Sequence, residues 1–267
     1  MRATPRDPVL ALRTALQRSD QLGVLVALVA VVLAAWVGTI ATGRSMTSMH
    51  SMDGMGAAAT GWSTIQLVTV AVMWVVMMVA MMLPSAAPMV LVHAGVARRR
   101  RGCERAWLLV ISFVSGYLLV WGAFGLTATG LQWWLDRSGL LVAGGRVTST
   151  IGGLVLLAAG AYQFTTWKQA CLRQCRTPMS FLLHDWRDGT VGSLRMGLRH
   201  GLVCTGCCLG LMVVLFAVGV MSLAWMAVVT AIVAAEKLLP GGQRIATAGG
   251  TLLVAGGLWL TIGTIVA

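Results

Sequence analysis

Met73-Trp74-Val75-Val76-Met77-Met78-Val79-Ala80-Met81-Met82-Leu83-Pro84, followed shortly by Arg98-Arg99-Arg100-Arg101, is the stretch that decides the fold. The first part has no charge and is long enough, with its apolar flanks, to cross a hydrocarbon layer of roughly 30 Å as a helix. The second part is what the cytoplasmic end of such a helix carries. The rest of the chain repeats this alternation. The sequence is 58% hydrophobic and 10% charged, with a mean hydropathy of +0.84. That composition predicts an all-α, polytopic transmembrane helix bundle of about seven spans, at 22–41, 63–83, 106–131, 147–167, 201–221, 223–239 and 245–266.

The net charge of +12 invites a nucleic-acid reading, but the charges sit between apolar segments, where membrane topology alone requires them. With the N-terminus cytoplasmic, seventeen Lys and Arg fall on the inner side and only Arg44, Arg137 and Arg146 on the outer side. This bias supports the orientation and the span count together. The apolar run Leu22–Ile40 is too long for a signal-peptide core and reads as a first span. The expected organisation is a basic cytoplasmic segment at 1–21 and one transmembrane domain at 22–267. That domain carries a Met-rich outer loop at 42–62 and a cytoplasmic interfacial loop at 168–200. The expected location is the plasma or inner membrane of a bacterium.

Five of the six cysteines fall in one region, as Cys171-x3-Cys175 and Cys204-x2-Cys207-Cys208. The orientation places them on the cytoplasmic side, where thiols stay reduced, so metal binding or transient redox chemistry outweighs stable disulfides. Helical spacing puts Cys171 with Cys175 on one face, and Cys204 with Cys207 and Cys208 on another. His200 precedes Cys204 by one turn. Thiolates with an imidazole suit Cu(I) first and Zn(II) second. The competing reading is that cysteines in such helices are small apolar fillers.

Methionines add a second signal. Met73, Met77 and Met81 stack along one ridge, and Met78 with Met82 along the next. Thioethers stay neutral and can hold Cu(I) inside a bilayer, although ordinary packing also explains them. Pro84 and Pro88 predict a helix break, with Met89 and His93 beyond it facing the cysteines' cavity. Met46, Met49, His50, Met52 and Met55 read as an outer-loop metal collector. Glu236-Lys237 is an ionisable pair at membrane depth. Glu236 is a candidate ligand or proton carrier, or it only pairs with a basic loop residue while Lys237 snorkels toward the headgroups. Small residues at Gly197-x3-Gly201 and Gly206-x3-Gly210, and the Gly-rich last span, read as helix-packing surfaces.

As a set, several of these elements resemble a prokaryotic family described as predicted metal-binding integral membrane proteins, some of whose members carry the label copper chaperone. The matching residues are Trp74 with Ala80–Met89, Gln163-Phe164, Trp167-Lys168, Cys171-Leu172-x2-Cys175-Arg176-x-Pro178 and Phe181. They continue with Trp186-Arg187-x-Gly189, Gly197-x2-His200-Gly201-x2-Cys204-x-Gly206-Cys207-Cys208-x3-Met212 and Glu236-Lys237. The resemblance covers roughly 62–240 and implies membrane location and metal binding; the Met-rich loop lies outside it.

Three functions follow as expectations. The first is soft-metal trafficking or transport at the cytoplasmic face, most simply of Cu(I), with a metallochaperone or thiol partner. The second is a membrane thiol-disulfide oxidoreductase using Cys204-x2-Cys207, which alone makes the protein an enzyme. The third is a structural or assembly role. No Walker A loop, dinucleotide fingerprint or HExxH motif is present, which argues against an ATP-driven pump.

Overall fold

The computed structural model describes residues 8–53, 62–101, 103–142, 145–220 and 222–266. Among these residues the chain is helical apart from one short hairpin, so the all-α expectation holds. The elements are α1 (Pro8–Asp53), α2 (Thr64–Arg101), α3 (Cys103–Arg137), β1 (Leu141–Val142), β2 (Arg146–Val147), α4 (Ser149–Gln163) and α5 (Thr166–Arg176). They continue with α6 (Pro178–Asp185), α7 (Gly189–Val218), α8 (Leu223–Leu238) and α9 (Gly242–Val266). The two strands pair antiparallel, Leu141 with Val147.

Five helices contain stretches long and apolar enough to cross a membrane: Gln21–Gly43, Thr64–Arg100, Ala106–Arg137, Gly189–Val218 and Gly242–Thr264. Helices α4 and α8, with 15 and 16 residues, also fall where spans are expected. At a rise of 1.5 Å per residue each is only about 23 Å long. The outer faces of α1 and α9 leave Leu22, Val26, Val37, Leu252 and Trp259 exposed, an arrangement that suits a hydrocarbon solvent and not water.

The bundle is held by close backbone approach. A Cβ at Gly116 would collide with the backbone of Leu194, and one at Gly197 with that of Phe113, so α3 and α7 pack with their backbones nearly touching. Helices α4 and α9 do the same, where a Cβ at Gly257 would lie 2.8 Å from the Gly153 carbonyl oxygen. The packing role expected for Gly197 and Gly201 is thus what the structure shows, and in the last helix it holds for Gly250 and Gly257 but not for Gly249 or Gly263, where a Cβ would meet nothing within 4 Å. Gly219 ends α7 with φ +109°, a conformation side-chain-bearing residues rarely adopt.

Several boundaries differ from expectation. The break at Pro84 and Pro88 is absent: α2 runs through both. Each proline removes one helical bond, and lateral packing against α1 and α3 holds the helix through them. In this stretch Ser85 Oγ and Tyr117 Oη both donate to the Met82 carbonyl, at 2.9 and 3.1 Å. The interfacial loop at 168–200 is replaced by most of α5, all of α6 and the first turns of α7. Helix α7 starts at Gly189 instead of 201 because Gly192, Ser193, Met196, Gly197 and His200 form a buried stripe at helical spacing. Arg195 and Arg199 stay exposed on the other side. At the outer loop, α1 continues to Asp53 and takes in Met46, Met49, His50 and Met52, whose side chains lie outside the described residues, as does all of Met55. The side chain of Cys103 also lies outside them.

Candidate metal centre

Cys204 stands near the middle of α7, roughly 20 Å from either end at 1.5 Å per residue. Cys207 follows one turn later with Cys208 beside it, and all three are at most 1% exposed. Their sulfurs lie within 4.8 Å of one another. Cys207 Sγ is 3.4 Å from Cys208 Sγ and 3.8 Å from Cys175 Sγ. Two thiolates on one ion at about 2.3 Å each are at most about 4.6 Å apart, so the cluster needs little movement to close on a metal.

Helix α5 brings in the fourth sulfur. Thr165 caps it, its hydroxyl accepting from the Lys168 amide at 3.3 Å. Its buried residues Lys168 and Leu172 turn toward the bundle. Cys175 follows on the same side, and Cys171 lies against Gly206, where an added Cβ would be only 2.9 Å from its sulfur. Burial pushes the Cys171 thiol above the ordinary cysteine range. Met73, Met77, Met78, Met81 and Met82 of α2 are buried in the same core cluster as the three α7 cysteines.

A polar shell surrounds the sulfurs. Lys237 Nζ donates to Cys204 Sγ at 2.9 Å and to Ser85 Oγ at 3.0 Å. Tyr117 Oη lies 3.1 Å from Cys204 Sγ. Behind them Lys168 Nζ pairs with Glu236 Oε2 at 2.8 Å and also donates to Gln163 Oε1. Arg176 donates to the Glu236 carbonyl oxygen at 2.6 Å. Glu236 Oε1 and Gln163 Nε2 are buried with no hydrogen-bond partner among the described residues.

The snorkelling expected of Lys237 is therefore corrected. Its ammonium points into the core, where it donates to a sulfur and a hydroxyl. Glu236 is engaged by Lys168, the ion-pair alternative among its expected roles.

The two candidate histidines stack among aromatic rings. His200 is stacked among Tyr117, Phe181 and Phe113, with centroids 5.6, 5.7 and 6.0 Å away. His93 stacks on Phe113 at 4.7 Å and Trp186 at 5.6 Å, and its Nε2 is 3.3 Å from Ser193 Oγ. Met89 packs with Phe113, Phe181 and Met196 in a second core cluster. Phe113 thus packs against both Met89 and His93, the two residues expected to face the cysteines' cavity.

Tyr117, Ser85, Gln163 and Lys168 were not anticipated at the site. Tyr117 is one of only two tyrosines in the chain, in a helix otherwise read as apolar. Lys168 was counted among the cytoplasmic charges, although its position four residues before Leu172 on an amphipathic helix was a usable signal.

Apolar helices of spanning length enclosing a buried thiol cluster define an all-α protein compatible with multi-pass membrane insertion and equipped with a candidate soft-metal centre. The chain belongs to the family described as PpoB2, copper chaperone, whose model matches residues 71–260. That range takes in every cysteine, lysine and glutamate of the centre and leaves Met46–Met55 outside. Neither the curated proteins nor the solved structures include a significant match to the chain.

Proposed function

We propose that this protein binds Cu(I) within the plasma or inner membrane of a bacterium and hands it on at the cytoplasmic face. The observation that carries the reading is the convergence of three buried thiols within 4.8 Å, with a fourth 3.8 Å from Cys207. Copper is the cargo. Cys204, Cys207, Cys208 and Cys175 hold it, and Cys171 extends the sulfur path along α5. Met78 and Met82, with Met73, Met77 and Met81, offer thioether steps through α2. Zinc is the second cargo the sulfur set would accept. His200, His93, Met89 and Glu236 support the path from outside the sulfur group, and Met46, Met49, His50, Met52 and Met55 collect metal on the outer side.

Charge balance accommodates Cu(I). A Cu(I) held by two thiolates carries one net negative charge, which is costly in a low-dielectric core. The Lys237 ammonium, 2.9 Å from Cys204 Sγ, offsets it. In the membrane, the five long helices cross together with α4 and α8, giving seven crossings and a cytoplasmic N-terminus. The segment before residue 22 then lies in the cytoplasm and 22–267 forms one domain.

Anaerobic titration of the reduced, purified chain with Cu(I) tests this. Near-ultraviolet thiolate-to-copper absorption should rise and saturate near one equivalent; a titration without that absorption rejects it.

The 3.8 Å separation of Cys175 and Cys207 also favours a second reading, a thiol-disulfide oxidoreductase. A mixed disulfide between a Cys207→Ser variant and a thioredoxin, formed by protein carrying no metal, would select that reading over the first.

A further inference from the structure

The arginines of α5 to α7 do more than mark one side of a membrane. Topology requires only that basic residues lie on that side. Here Arg173, Arg176 and Arg199 converge on a cavity of about 630 Å³, between α5, α6, α7 and the turn that joins α8 to α9. A smaller cavity of about 290 Å³ shares its Asp185 and Arg199 and adds Arg187 and Arg195. Asp185 is the carboxylate lining both, and it is already bonded to Arg199. The basic charge around the two cavities therefore exceeds the acidic charge that meets it.

The α5 helix is the wall between this cavity and the thiols. Ala170, Arg173, Gln174 and Thr177 face the cavity, while Lys168 and Leu172 are buried toward the bundle. None of the thiols lines the cavity, so an occupant there would be distinct from the metal. The cavity's size falls within the range of roughly 300–1,000 Å³ usual for small-molecule sites, larger than a bare ion requires. Guanidinium forks match phosphate oxygens in a bidentate geometry.

We infer that the cavity is a binding site for a phosphate-bearing anion, either the headgroup of an anionic phospholipid or a free phosphate compound. Arg173 and Arg199 make the primary contacts. Arg176 joins them from the cavity floor, where it also holds the Glu236 carbonyl. The site does not depend on copper being the cargo.

The test is the thermal unfolding midpoint of the full chain in neutral detergent. Four additions are compared: inorganic phosphate, chloride at equal ionic strength, short-chain phosphatidylglycerol and short-chain phosphatidylcholine. Phosphate or phosphatidylglycerol should raise the midpoint saturably beyond its control, as binding to the folded state requires. Arg173→Gln, and separately Arg199→Gln, should weaken the apparent affinity roughly tenfold, the loss of one charge-assisted contact. Stabilisation by phosphatidylglycerol alone assigns the site to a lipid headgroup, and stabilisation by inorganic phosphate as well assigns it to free phosphate. Circular dichroism of each variant confirms that it is folded. Equal midpoints in all four additions, or unchanged affinity in both folded variants, would overturn the proposal.

Discussion

The ammonium of Lys237 lies 2.9 Å from the sulfur of Cys204, in a core where both residues are almost wholly buried. The contact joins α8 to α7 and makes a lysine part of a thiol cluster. If it balances the charge of a bound Cu(I), replacing the lysine by methionine keeps the bulk and removes the charge. Lys237→Met should lower Cu(I) affinity about tenfold or more, as expected for loss of a charge-assisted contact. Competition with a chromophoric Cu(I) chelator measures this, and unchanged affinity would show the lysine to be a bystander.

The Lys168–Glu236 pair is 1% and 2% exposed at its two side chains. Removing one partner of such a buried pair costs about 3–5 kcal/mol, because the other is left charged and unpaired. Lys168→Met should destabilise the protein by that order, and adding Glu236→Gln to it should recover much of the loss. A double-mutant cycle in detergent unfolding reads the coupling; additive losses would contradict the pairing.

Gly197 sits where α7 meets the backbone of Phe113, whereas a Cβ at Gly249 would meet nothing within 4 Å. Gly197→Ala should therefore cost about 1–3 kcal/mol or more through overpacking. Gly249→Ala in the interior of α9 should gain roughly 0.5–1 kcal/mol. Opposite signs in the unfolding midpoints of the two variants check the helix contacts directly.

Helical and membrane character were legible from residues such as Met73–Leu83 and Arg98–Arg101, because hydropathy and charge asymmetry are properties of local sequence. The burial of the α2 methionines in one core cluster with the cysteines emerges only from the fold, since it depends on how α2 and α7 pack. The direction of Lys237 was not legible. A lysine near a helix end ordinarily reaches for water, and only the sulfur and hydroxyl supplied by α7 and α2 reverse that choice. The start of α7 was misplaced because Arg195, Arg199 and His200 lower the average hydropathy of a helix whose buried stripe already begins at Gly192. The stacking of His93 and His200 on Phe113 was not legible either, because helical spacing does not show which ring of a neighbouring helix a side chain meets.

Cys175 and Cys207 face each other with sulfurs 3.8 Å apart, close enough for a mild thiol oxidant to join them after a small movement of α5. Diamide treatment of the metal-free protein should give a Cys175–Cys207 disulfide, detectable by peptide mass spectrometry, with the oxidant taking up the two hydrogens. Prior loading with Cu(I) should suppress it. Equal cross-linking with and without copper would place the metal elsewhere.

The most direct test is the copper content of protein purified from copper-supplemented cells, wild type beside Cys204→Ser. The account predicts close to one copper per wild-type chain and loss of most of it in the variant, with the helical content of both unchanged. Wild-type protein without copper, or a Cys204→Ser variant that keeps as much as the wild type, would contradict it.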